Sequence, residues 1–204
     1  RRMLDDKIRR LRTRLQKVDR QRRTRRRARQ RGEALRVSLI GYTNAGKSTL
    51  FNRLTRAGAL AADQLFATLD PLTRRLGLGN GLEVVLSDTV GFIRNLPHGL
   101  VAAFRATLEE VLEADLILHV RDISHPETEE QAADVAEILE SLGVDEDVAL
   151  IEVWNKIDRF DPEERDNLRN IAARRPPERP CFLVSAVTGE GIDALLTAIE
   201  DRLA

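Results

Sequence analysis

The sequence predicts an α/β fold of three layers: a mostly parallel six-stranded sheet with one antiparallel edge strand, flanked by helices and preceded by a basic helix. Two observations carry this. From residue 35 onward, short apolar runs alternate with amphipathic stretches, which demands crossover connections between parallel strands. One turn, Gly79-Asn80-Gly81, joins two runs directly and reads as a hairpin, so one strand must run against the others.

The elements follow in order. Leu4, Ile8, Leu11, Leu15 and Val18 fall at alternating steps of four and three, the seam of a helix that packs on another helix. Its continuation carries Arg22, Arg25 and Arg29, and Gly32 is the expected stop. The chain opens on Arg1 inside this pattern, and more chain is expected upstream. Residues 1–34 are read as a basic helical segment and 35–204 as the globular domain. The first holds 16 Lys and Arg against 4 Asp and Glu, the second 17 against 29, so a formal charge of zero hides +12 beside −12. A segment of +12 suggests an anionic partner, while the acidic body argues against indiscriminate binding of nucleic acid. A basic zipper on DNA is excluded because there the basic region precedes the heptads, and here it follows them.

Val37, Leu39 and Ile40 mark the first strand. Further strands are expected at Leu72–Leu78, Leu82–Leu86, Leu116–Val120, Val148–Val153 and Phe182–Val184, with helices at Ser48–Arg56, Val101–Glu113, Glu127–Leu142, Pro162–Ala173 and Ile192–Leu203. Aromatics make up only 4% of the chain against 42% apolar residues, so the core must be aliphatic. A single cysteine, Cys181, excludes an internal disulfide and a multi-cysteine metal site, in keeping with a cytoplasmic setting. No apolar run approaches the ~20 residues of a membrane span. A monomer is expected.

Four loops at strand ends carry the chemistry. Gly41-Tyr42-Thr43-Asn44-Ala45-Gly46-Lys47-Ser48 follows a strand and opens a helix, the setting of a phosphate-binding loop. Gly41 and Gly46 let amides approach phosphate, Lys47 is expected to reach the β and γ oxygens, and the Ser48 hydroxyl to ligate Mg2+. Asp88-Thr89-Val90-Gly91 places Asp88 where it can hold magnesium through water, and Gly91 where its amide can meet the γ-phosphate. In Asn155-Lys156-Ile157-Asp158, Asp158 can accept from both donors on the guanine edge, donors that adenine lacks. Ser185-Ala186 then offers a backbone amide to guanine O6. Together these motifs imply a P-loop, Ras-like GTPase domain binding GTP and GDP, and argue against an ATPase.

The strings 41–52, 62–71 (Ala-Asp-Gln-Leu-Phe-Ala-Thr-Leu-Asp-Pro), 88–93 and 155–158 resemble the HflX family of ribosome-associated GTPases, over about residues 35–204. By that resemblance Thr68 closes on magnesium and the γ-phosphate, making Ser48, Thr68 and Asp88 the metal set. Asn44, Ala45, Thr49 and Phe66 join Gly46, Lys47 and the base-side residues as nucleotide contacts, with Lys47, Thr68, Gly91 and Asn44 catalytic. Asn44 can hold potassium (K+) beside the phosphates in related enzymes. The resemblance also implies binding to ribosomal RNA of the large subunit and a part in splitting or rescuing ribosomes under stress. The alternative is an RNA-binding module in which nucleotide only sets conformation. Phe92 stands where many Ras-like enzymes place a water-positioning glutamine, which implies slow intrinsic hydrolysis. His98 is not expected to act as a base, and His119 and Trp154 are expected to pack.

Overall fold

The computed structural model describes residues 34–55, 72–94, 101–144 and 148–204, so the basic segment, Phe66, Thr68 and His98 lie outside the described residues. The expected sheet is present: β1 (Leu35–Ile40), β2 (Leu72–Gly77), β3 (Glu83–Asp88), β4 (Leu116–Asp122), β5 (Ala149–Asn155) and β6 (Cys181–Leu183). Its strand order is β2-β3-β1-β4-β5-β6. Only the β2–β3 pair is antiparallel, and β2 forms one edge. Their turn closes by Leu78 N–H to the Leu82 carbonyl at 2.8 Å and Leu82 N–H to Asn80 Oδ1 at 2.8 Å, with Gly81 at φ +82°, a conformation that favours glycine.

Helices α1 (Lys47–Thr55) and α5 (Ile192–Leu203) share one apolar cluster with the sheet through Leu50, Phe51, Leu54, Leu195 and Ile199. Helices α2 (Val101–Glu113) and α3 (Thr128–Ser141) contribute Val111, Val135 and Leu139 to a second cluster, with Ile40, Phe92 and Ile117. Side chains alternate across a strand, so β4 sends Leu116, Leu118 and Val120 into the first cluster and Ile117 into the second. Both faces are covered, so every residue of β4 is buried, including the polar His119, Arg121 and Asp122.

Helix α4 (Pro162–Ala173) starts on a full capping box. Asp161 accepts from Glu164 N–H at 2.8 Å and Glu164 Oε2 from Asp161 N–H at 3.0 Å, with Pro162 in the first turn where its missing donor costs nothing. The helix nevertheless buries no residue. Sequence boundaries differ by a residue or two; β6 begins at Cys181 and ends at Leu183, because Val184 already turns into the following loop. Among the described residues no helix is long and apolar enough to cross a membrane.

Candidate nucleotide-binding site

The functional loops meet beyond the carboxyl ends of the parallel strands, the edge where open α/β sheets hold ligands. The phosphate loop is shaped by close approaches. Gly41 (φ +151°) has no room for a side chain, since a Cβ would lie 2.2 Å from the Val120 carbonyl oxygen. Gly46 (φ +95°) would meet Asn155 Nδ2 at 2.2 Å, and Gly91 the Thr43 Cα at 2.7 Å. The loop and the Asp88–Gly91 segment are zipped together: Phe92 N–H donates to the Gly41 carbonyl at 2.9 Å and Thr43 N–H to the Phe92 carbonyl at 3.0 Å. Asn44 adopts a left-handed conformation, φ 62°.

Lys47 is 6% exposed and its Nζ donates to the Tyr42 carbonyl at 2.8 Å, which curls the side chain over the loop. Burial pushes its ammonium down to about 8, with Asp88 opposing. Ser48 Oγ donates to Asp88 Oδ2 at 2.6 Å, joining helix start to strand end in a corner where Asp88 is 1% exposed. A hydroxyl and a carboxylate are hard oxygen donors of the kind magnesium takes. Among the described residues no three or more His, Cys, Asp or Glu cluster to hold a metal alone, so phosphate oxygens and water would complete the shell.

Asn155 joins the two ends of the site. Buried to 2% exposure, it donates from Nδ2 to the Ala45 carbonyl at 2.9 Å and accepts at Oδ1 from Ala186 N–H at 3.0 Å. Lys156 is left-handed at φ 71°, and its Nζ reaches the Asn44 carbonyl at 2.6 Å and Asp122 Oδ2 at 2.7 Å. Asp158 is exposed, and the fully buried Ser185 aims it, donating from Oγ to Oδ1 at 2.6 Å. Ser185 therefore contributes its side chain, whereas its own N–H is taken by the Glu190 carbonyl at 2.9 Å. The Ala186 N–H is engaged by Asn155 Oδ1.

Several contacts between distant segments also shape the site. Tyr42 Oη donates to Asp134 Oδ2 at 2.5 Å, which also takes Arg94 Nε at 2.8 Å, so one carboxylate on α3 ties the phosphate loop to the segment after Gly91. Arg53 Nε donates to the Ala186 carbonyl at 3.0 Å and Nη2 to that of Val187. No local pattern marks Tyr42, Asp134, Arg94 or Arg53, because their partners are far away in sequence. Phe92 is 1% exposed and stacks edge-on against Phe104, centroids 5.4 Å apart, so it serves the core. His119 and Trp154 pack as expected: both are buried, with Trp154 between Arg121 and Arg175 and its Nε1 on Glu152 at 2.9 Å.

A glycine-walled phosphate loop opening a helix, a Ser48–Asp88 corner and a guanine-edge carboxylate on one strand edge define the class of P-loop GTPases. Residues 36–156 match the family described as 50S ribosome-binding GTPase. The chain belongs to that family, and within it to the HflX GTPases. It is 49% identical over 199 residues to the GTPase HflX of Magnetococcus marinus, covering 98% of this chain and 44% of that protein. To the GTPase HflX of Escherichia coli it is 47% identical, covering 100% of this chain and 46% of the relative. The chain thus spans less than half the length of these relatives. Among solved structures, a GTP-binding protein of Sulfolobus solfataricus in complex with GDP is 28% identical with a TM-score of 0.63, over 82% of this chain and 52% of that one. Era in complex with MgGDPNP and nucleotides of 16S ribosomal RNA shares the fold at a TM-score of 0.68 and 24% identity, over 83% and 56% of the two chains.

Proposed function

We propose that the chain is a molecular switch that binds GTP with magnesium, hydrolyses it to GDP and phosphate, and acts on the large ribosomal subunit in splitting or rescue under stress. The observation that carries the nucleotide reading is Asn155, whose single amide holds Ala45 of the phosphate loop and Ala186 of the base loop in one buried unit. Lys47, Ser48 and the Ala45–Thr49 amides take the phosphates, and Asp158 with Lys156, Ser185 and Ala186 takes the base. When bound, magnesium neutralises charge on the β and γ oxygens. Ser48, Asp88 and Thr68 are assigned to it, and Asn44 to potassium.

Phe92 is locked in the core and holds no water, so water must be oriented by backbone such as Gly91 N–H, by Thr68, or by a group supplied from the partner. The ribosomal reading is supported by the family description and by the +12 charge of residues 1–34. Multiple-turnover phosphate release from GTP and ATP, in potassium and in sodium, with and without purified subunits, tests it. We expect magnesium-dependent release from GTP alone, accelerated by large subunits and by potassium. Binding of subunits without turnover would favour the RNA-binding module instead.

A further inference from the structure

We infer that Asp122, outside every nucleotide-binding motif, is a positioning residue for guanine nucleotide: it anchors the Lys156 ammonium over the phosphate loop and slows nucleotide release. The inference rests on the reading of Lys156 as a nucleotide-binding residue.

Asp122 ends β4 directly beside Asn155, its register partner on β5. It is 7% exposed, and both carboxylate oxygens are committed. Oδ2 accepts from Lys156 Nζ at 2.7 Å; Oδ1 accepts from Ser124 N–H at 3.0 Å and Ser124 Oγ at 2.5 Å. Arg159 adds a second cation 3.9 Å from Oδ2 and holds Ser124 Oγ at 3.2 Å. Burial alone would raise the carboxyl, but the hydrogen bonds from Lys156 and Ser124 outweigh it and keep the group below the usual carboxylate range. Asp122 is therefore a fixed negative charge at neutral pH.

The ammonium it holds bridges two strained residues. Lys156 (φ 71°) and Asn44 (φ 62°) are both left-handed without being glycine, a state that persists only where neighbours enforce it. Lys156 Nζ holds Asn44 in place by donating to its carbonyl at 2.6 Å. A lysine side chain has four rotatable carbons and a mobile point charge, and a buried carboxylate is what restricts it. Without Asp122 the ammonium is left to the Asn44 carbonyl alone, and the tie from base loop to phosphate loop loosens. Neither the guanine edge nor the γ-phosphate corner is touched, so GDP and GTP should be affected alike.

The test is dissociation of a fluorescent GDP analogue from the 204-residue chain carrying Asp122→Ala, Asp122→Asn or Lys156→Met, and from the double variants. Truncating one partner of a buried charge pair acts mainly on the off-rate, so Asp122→Ala should speed release about 10-fold or more. The preference for guanine should stay as in the parent in both Asp122 single variants. Asp122→Asn retains an acceptor for Ser124 while weakening the hold on Lys156, so it preserves the turn and still accelerates release; it carries the test if the alanine variant does not fold. In the Lys156→Met background neither change should accelerate release further. Equal acceleration in both backgrounds would show a purely structural turn and overturn the inference, as would unchanged release in both Asp122 variants. If Lys156→Met alone leaves release unchanged, the nucleotide-binding reading of Lys156 falls first and takes the inference with it.

Discussion

Around Gly41, Gly46 and Gly91 the site is made of backbone brought close by absent side chains, and through Phe92 it stands on an apolar cluster. Around Asn155, Asp158 and Ser185 it is made of side chains bonded to one another. The strands beneath that half carry buried His119, Arg121 and Trp154 with half-buried Glu152, which accepts from Arg121 at 2.9 Å. On the proposed function, the difference follows from the ligand. Phosphate is a sphere of negative charge that amides, a helix start and one cation satisfy without reading its identity. A purine edge must be told from its rivals, which takes oriented side-chain acceptors, and orienting them takes further hydrogen bonds behind.

Three experiments break or sharpen this contrast. The largest effect is expected for Lys47→Ala, since Lys47 is the one cation inside the phosphate loop. Hydrolysis should vanish and triphosphate binding weaken by about 100-fold or more, as removal of a preorganised electrostatic group commonly does. Guanine should still be preferred over xanthine in whatever binding survives. Turnover at the parent rate would dismantle the phosphate-loop assignment. Next comes Asp158→Asn, which replaces an acceptor of two guanine donors by an amide. GTP affinity should fall by about 100-fold or more while xanthosine triphosphate gains, because buried recognition groups left unpaired discriminate by factors of that order. Titration showing unchanged GTP affinity would remove Asp158 from the base edge.

The smallest effect at neutral pH, and one confined to the base half, concerns His119. Burial depresses its imidazole to about 4 from 6.5, with Glu152 opposing and Arg121 assisting. The unfolded chain therefore binds more protons than the folded one between these values, so stability is fully present above about 6.5 and declines as pH falls toward about 4. A shift of this size corresponds to about 3 kcal/mol. His119→Leu should abolish that share of the acid sensitivity, read as a flatter curve of urea midpoint against pH between 6.5 and 4. Identical curves for parent and variant would place the titration elsewhere.

The motifs made the anchor points legible in the sequence because each is a short string with a local backbone reason: glycines where Cβ atoms would collide, an acidic residue at a strand end, a helix start. The mostly parallel sheet and its antiparallel edge strand also followed, from alternation and the Gly79–Gly81 turn. What escaped was the wiring between distant segments. Tyr42 with Asp134 and Asp122 with Lys156 are separated by 92 and 34 positions, and nothing local in either residue announces the other. Ser185 was read for its amide, but its hydroxyl does the orienting, a choice settled only by how the loop turns at Gly189 and Gly191. Helix α4 shows the reverse: its capping box is plain in Asp161-Pro162-Glu163-Glu164, yet a strong local start says nothing of how much the helix will bury.

Trp154 is the only tryptophan in the chain, and it precedes Asn155 directly. Its indole lies between two guanidinium groups, 5.5 and 5.9 Å from the ring centre, with its N–H fixed on a carboxylate. Indole emission responds to nearby charge and to the ordering of its own backbone. The domain thus carries a built-in optical sensor on the strand that ends in the base-binding loop. On the proposed function, adding GDP to unlabelled protein should shift this emission, with a single chromophore reporting from one known address.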